Sequence, residues 1–290
     1  MICSICPRKC GIDRSKSNGY CKSPEDFVLA RAALHFWEEP CISGKNGSGA
    51  VFFSGCNLGC VFCQNEEISH LGKGVQVSED RLVQIFDRLV EQGASNINLV
   101  NPTHYALKIA RVLERHKPNV PIVYNSSGYE SVETLKRLEG LVDVYLPDFK
   151  YTRADRAMRY CGASDYPERA KKAIFEMRRQ QKTDVFDDEG IMLKGVIVRH
   201  LVLPTNTNSA IEAVDFIADE LKDTYLSLMA QYTPCGNLNN FPEINRKITE
   251  REYNKVVDYA IFKGLNKVFI QELESSDKKY IPPFDLTGII

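Results

Sequence analysis

The sequence predicts an α/β protein, a partial (β/α)6 barrel carrying a small cysteine-rich, metal-binding appendage at its N-terminus. Three observations predict it. From residue 50 onward, short apolar runs alternate with stretches of helical period, the signature of a parallel sheet with helical crossovers. The units number six or seven, too few for a closed eight-fold barrel. Eight of the ten cysteines fall in the first 63 residues, and residues 1–49 show no such alternation. The chain therefore divides into residues 1–49, a metal-binding segment, and 50–290, the barrel.

Each element has a local reason. The apolar run 50–54 reads as a strand that feeds a cysteine loop. Ser78 then offers an N-cap, Leu82, Ile85, Phe86 and Leu89 follow at helical spacing, and Gly93 stops the helix. A strand at 97–100, a helix through Ile109 and Leu113, and a strand at 121–124 come next. A short helix around Leu135 leads to a strand at 142–146. A long basic helix places Ala170, Ala173, Ile174 and Met177 on one face. Strand 195–202, helix 211–221 and strand 225–230 follow. Tyr253, Val256, Val257, Ala260 and Ile261 line the last helix, which ends near Gly264 before strand 268–271. In parallel barrels the chemistry sits at the C-terminal ends of strands, so residues just after each strand are the site candidates.

Composition narrows the class. Hydrophobic content of 43% and charged content of 26% are those of a globular protein. A net charge of -1 predicts no nucleic-acid partner and no attraction to an anionic membrane. No apolar run approaches the ~20 residues of a membrane-spanning helix. Ten cysteines behind a start with neither charged nor apolar leader predict a reducing cytoplasm and metal ligation rather than disulfides. The basic helix 168–182 carries six Lys or Arg residues and reads as a solvated face. Trp37 reads as core, and Cys161 and Cys235 as buried free thiols.

Cys56, Cys60 and Cys63 lie in Cys-Asn-Leu-Gly-Cys-Val-Phe-Cys, three thiolates within eight residues. Gly55 and Gly59 free that loop to wrap a large inorganic core. An iron cluster held by only three cysteines keeps one iron open to a small molecule. A second set, Cys3-x2-Cys6-x3-Cys10-x10-Cys21, supplies four thiolates with Pro7, Gly11 and Gly19 as turn residues. Four thiolates suit structural zinc or an auxiliary iron–sulfur cluster, and the spacing decides neither. Cys41 is a further candidate ligand.

Cys-x3-Cys-x2-Cys with Phe62 before its last cysteine resembles the signature of the radical S-adenosylmethionine (SAM) superfamily. The resemblance implies a partial barrel and a 4Fe-4S cluster whose open iron chelates SAM. It implies reductive cleavage of the sulfonium to a 5'-deoxyadenosyl radical. Carried onto the strand ends, it implies Phe62 against the adenine and Asn65 beside the cluster. Asn101, Thr103 and His104 follow the strand that commonly bears the SAM ammonium site, here as Asn-Pro-Thr-His. Asn125 and Ser127 can approach a ribose or carboxylate. Asp148 and Lys150 resemble the Asp-x-Lys pair of glycyl-radical-enzyme activases, and Arg199 is a candidate for the SAM carboxylate. Cys-Pro-Arg-Lys-Cys-Gly at 6–11, Glu-Glu-Pro-Cys-Ile-Ser-Gly at 38–44 and Leu-Pro-Asp-Phe-Lys-Tyr at 146–151 resemble one branch, named for pyruvate formate-lyase activating enzyme. That branch implies a glycyl radical enzyme or peptide as substrate and a reducing donor such as flavodoxin or ferredoxin. Two alternatives stand beside it. One is a radical SAM enzyme acting on another peptide or small metabolite. The other is a non-catalytic iron–sulfur electron carrier, which would ordinarily close its cluster with four cysteines.

Overall fold

Seven strands run parallel, and all seven begin and end within three residues of where the apolar runs put them. The computed structural model describes residues 2–273 and 282–290. Its strands are β1 (Phe27–His35), β2 (Ser48–Phe53), β3 (Val75–Val77), β4 (Ile97–Val100), β5 (Ile122–Ser126), β6 (Val144–Pro147), β7 (Val185–Phe186), β8 (Met192–Leu201), β9 (Tyr225–Met229) and β10 (Val268–Ile270). They order as β10-β9-β8-β6-β5-β4-β2-β1-β3, with β7 hairpinned onto β8. Every pair from β2 to β10 along that path is parallel. β1 runs antiparallel to β2 and β3 to β1. The path has two ends, so the barrel is open, as the count of units predicts.

Strand alternation sorts side chains to two faces. Leu99, Tyr124, Tyr145, Val196 and Val198 point outward into the large apolar cluster formed with the helices. Helix Glu79–Glu91 shows how the sequence builds that layer. Ser78 Oγ accepts from the Arg81 amide at 3.0 Å, and Leu82, Ile85, Phe86 and Leu89 are buried on one stripe. Helix Glu250–Phe262 starts with a full capping box between Thr249 and Glu252. The intervening neighbours, Val123, Val144, Leu146 and Ile197, belong to a separate inner cluster with Cys41 and Ile42.

That inner cluster corrects the expected organisation. The stretch read as free of strands contains β1, whose alternation is broken by a register shift between Leu29 and Arg31. The division at 49/50 falls inside β2. After β1 the chain turns into the barrel interior. Asn96 Nδ2 donates to the Ile42 carbonyl at 2.7 Å, and Ile42 is fully buried, a burial that contributes about 1.5–3 kcal/mol. Cys41 is therefore a packing residue in this arrangement. Trp37, read as core, is 61% exposed. A helix at Ala154–Cys161 was also not anticipated. The cations of the basic helix pair with acids, among them Arg178 with Asp184 and Arg179 with Glu139 and Glu176. No helix among the described residues is long and apolar enough to cross a membrane.

Candidate active site

β2 delivers the cysteine loop to the barrel mouth. Gly55, at φ 91, allows the turn. A Cβ there would stand 2.6 Å from the Cys21 carbonyl oxygen and closer still to Ser23 Oγ, so no other residue fits. Cys56, Cys60 and Cys63 all face one cavity of about 260 Å³. Burial pushes the Cys63 thiol up to about 12 and raises Cys56. Cys60 is raised further, first by a hydrogen bond with Cys161 and then by burial. Bare, these thiols hold their protons; a bound metal would displace them.

The other strand ends face the same space. Asn65, Phe62, Asn101, Asn125, Ser127, Asp148, Lys150 and Arg199 line it with the three cysteines. Asn101 sits in the left-handed region at φ 54, a conformation asparagine tolerates. Its Nδ2 donates to the Gly55 carbonyl at 3.0 Å. Phe62 packs edge-on against Tyr232 with ring centroids 5.5 Å apart. Three soft thiols on one wall fit an iron–sulfur cluster by donor chemistry. Among the described residues, Asn101 Oδ1 and Ser127 Oγ are buried with no hydrogen-bond partner, as atoms meant for a polar ligand would be.

A charge network floors the cavity. The isolated bridge between Asp148 and Arg199 sets their side chains together. Arg199 Nε donates to Asp148 Oδ1 at 2.8 Å, Nη1 to Glu38 Oε2 at 3.2 Å and Nη2 to Asn125 Oδ1 at 2.6 Å. Lys150 Nζ donates to Asp148 Oδ2 at 2.5 Å. Burial alone would raise Asp148, but Arg199 and Lys150 outweigh it and hold the carboxyl low. Burial would lower Arg199, and Asp148, Glu39 and Glu38 raise it instead. Burial wins at Glu38 and Glu39, whose carboxyls are raised.

Two expected residues lie elsewhere. Thr103 and His104 are buried behind the cavity. The turn at Asn101 carries them away from it, and Thr103 Oγ1 donates to Glu130. His104 Nε2 meets the Ser54 carbonyl at 2.8 Å, and burial brings its imidazole down to about 3. The sequence reading missed Glu38 and Glu39 as members of the floor. Two adjacent acids before a Pro-Cys-Ile run were the available signal, since such a pair is costly unless a cation waits for it. It also passed over His70, which lines the cavity with Nε2 unpartnered among the described residues.

The N-terminal cysteines gather beside this loop. The sulfurs of Cys10 and Cys21 flank Gly19. Cys6 feels the charge of both Cys21 and Cys3. Among the described residues, no three His, Cys, Asp or Glu side chains converge closely enough to hold a single ion, here or at the loop 56–63.

Comparison with known proteins gives the setting. The profile of the radical SAM superfamily matches residues 50–217. An uncharacterized protein of Methanocaldococcus jannaschii is 30% identical over 277 residues, which span 92% of this chain and 76% of that protein. Among solved structures, Streptococcus suis SuiB bound to its precursor peptide SuiA superposes with a TM-score of 0.54 at 16% identity, covering 75% of this chain and 46% of SuiB. SuiB bound to S-adenosylmethionine gives the same TM-score and identity, covering 74% and 47%. This chain thus spans about half the length of those structures, and the likeness is one of fold. With the profile covering more than half of it and the cysteine loop at the barrel mouth, the chain belongs to the radical SAM superfamily.

Proposed function

We propose that this protein holds a 4Fe-4S cluster on Cys56, Cys60 and Cys63 and cleaves SAM reductively to start a hydrogen abstraction. The observation that carries the reading is the meeting of three thiols and eight strand-end residues in one cavity. When bound, the cluster supplies the electron that breaks the SAM sulfonium. The chain's own residues bind and orient. Asn101 Oδ1 and Ser127 Oγ are acceptors for the ammonium and ribose hydroxyls of SAM. Lys150 spends one donor on Asp148 and keeps others for a carboxylate. Arg199 is occupied by Asp148, Glu38 and Asn125, so its part is to hold Asp148 and Asn125 in place. Phe62 and the aromatic rings behind it exclude water from the loop.

The substrate we propose is a peptide, with a glycine of a partner glycyl radical enzyme as the first case to test. The Asp148-x-Lys150 pair and the activase-like branch support it, and SuiB, of the same fold, has been solved with a precursor peptide. A flavodoxin- or ferredoxin-type donor would supply the electron. Cys3, Cys6, Cys10 and Cys21 would hold a second metal.

Anaerobic reconstitution with iron, sulfide and SAM, followed by a reductant, tests the core of this reading. We expect 5'-deoxyadenosine from the wild type. Cys60→Ala should lose both the cluster absorption and the product. Full turnover by Cys60→Ala would refute the assignment.

A further inference from the structure

The chain's single tryptophan lines two cavities. The second, of about 820 Å³, lies beside the cavity of the cysteine loop and shares Trp37, Glu38 and Gln231 with it. Trp37 is 61% exposed, and Phe36, on the same wall, 49%. Two adjacent exposed rings on a concave surface mark a binding groove rather than a core. The groove is built on fixed backbone. A Cβ on Gly44 would collide with the Ile191 side chain, so segment 36–44 closes against the turn 187–191 that joins β7 to β8.

That turn sets the charge of the groove. Asp187 is spent inside it, its carboxylate accepting from the amides of Glu189 at 2.9 Å and Ile191 at 2.8 Å. Asp188 and Glu189 line the groove, both exposed, and among the described residues neither pairs with a cation. Lys45 is the one cation on the described wall. At the inner end Glu38 is matched by Arg199, so the excess of negative charge stands at the outer end. The chain as a whole carries only -1, and the pull on a cation is therefore local to this concave wall. The Trp37 ring offers a cation a second attraction. Between the two cavities lie underused amides. Gln271 Nε2 donates to Gln231 Oε1 and Gln64 Nε2 to the Gln231 carbonyl, each at 3.4 Å. Gln231 Nε2 reaches the Met229 sulfur at 3.7 Å. Bonds this long give way to the backbone groups of a peptide, which match amides donor for acceptor.

We infer that this groove holds an extended peptide segment with a lysine or arginine side chain on Asp188 and Glu189, its backbone on Gln231 and Gln271, and its path leading past Trp37 and Glu38 toward the cysteine loop. The groove stands on its own geometry; calling its occupant the substrate rests on the reading proposed above. The basic residue is a recognition element, set outward of the residue that reacts. No bond forms or breaks in the groove.

A short dye-labelled peptide of alternating glycine and lysine tests the groove on the full-length reconstituted protein, with fluorescence anisotropy for affinity and tryptophan emission for location. Binding with a shift in emission is expected, and only Trp37 can report it. The matching glycine–glutamate peptide should bind severalfold more weakly. So should free lysine, which brings no backbone to the glutamines. Asp188→Asn/Glu189→Gln, at two exposed positions, should weaken the lysine peptide severalfold with the thermal midpoint unchanged. Equal affinity for the two peptides, equal affinity for free lysine, or binding that leaves Trp37 emission as it was overturns the proposal. Wild-type affinity in the double variant overturns it as well. SAM cleavage is scored apart from binding. Production of 5'-deoxyadenosine without peptide binding would sink the groove and spare the cluster reading; peptide binding without 5'-deoxyadenosine would spare the groove and sink the cluster reading.

Discussion

Asp148 and Glu130 are both buried carboxylates, and they lie on opposite faces of the same sheet. On the lumen side, Asp148 meets Arg199 at 2.8 Å and Lys150 at 2.5 Å and is held below the usual carboxylate range. On the helix side, Glu130 accepts from hydroxyls, those of Thr103 and Tyr124 among them, and burial pushes it up to about 7. Desolvation acts on both; the cation decides. The contrast separates the tasks of the two faces. The outer face packs Leu99, Tyr124, Tyr145 and Val198 against helices and holds the fold. The inner face carries three carboxylates, Glu38, Glu39 and Asp148, around two cations, and keeps charge where a charged ligand would arrive.

The sharpest way to break that contrast is to remove the shared cation. Arg199→Met leaves three buried carboxylates with Lys150 alone. Stripping one partner from a buried network costs about 3–5 kcal/mol, and the urea midpoint should fall accordingly. A loss under about 1 kcal/mol would show that Glu38 and Glu39 are already neutral and that the lumen needs no counter-charge.

The outer carboxylate gives a pH signature of somewhat smaller size. A carboxyl raised from 4.5 to about 7 in the folded state binds more protons folded than unfolded between those values. Stability therefore falls as pH rises from about 4.5 to about 7 and is flat above. At 1.36 kcal/mol per unit the span is about 3 kcal/mol. Glu130→Gln removes the titrating group and keeps an acceptor for Thr103. The variant should gain on the wild type between pH 5 and pH 8 in denaturant titrations. An unchanged difference at both pH values would mean that Glu130 is ionised throughout, with a cation or water supporting it.

The same contrast explains what the sequence could tell. The outer face repeats apolar residues at strand and helix periods, so seven strands and most of their helices, though not Ala154–Cys161, were legible from residue 50 onward. The three cysteines were legible from spacing, and Asn101, Asn125, Ser127, Asp148, Lys150 and Arg199 from their place after strands. The lumen floor was not, because Glu38 and Glu39 come from a segment 160 or so residues away from Arg199, and periodicity carries no information at that range. β1 was hidden by its bulge at Leu29/Arg31. Thr103 and His104 were assigned by position after β4, whereas the left-handed backbone at Asn101 turns them under the helix layer.

Lys150 offers the finest probe, because it belongs to the lumen network yet has donors to spare. Its side chain lines the cavity, is 20% exposed and, among the described residues, bonds the side chain of Asp148 alone. Burial would lower its amine, but Asp148 raises it, so it stays charged at neutral pH. Asp148 keeps Arg199 when Lys150 is truncated, so Lys150→Ala should cost little stability. SAM affinity, measured by equilibrium binding on the reconstituted protein, should weaken about tenfold, the equivalent of about 1.4 kcal/mol. Lys150→Arg should recover part of the loss, since the charge is restored at a different reach. Wild-type affinity in Lys150→Ala with a fall in product coupling would move the lysine from SAM to the substrate. Wild-type affinity and coupling together would make the Asp148–Lys150 pair structural. The lumen would then keep its charge for the fold alone, and the contrast between the two faces would reduce to packing.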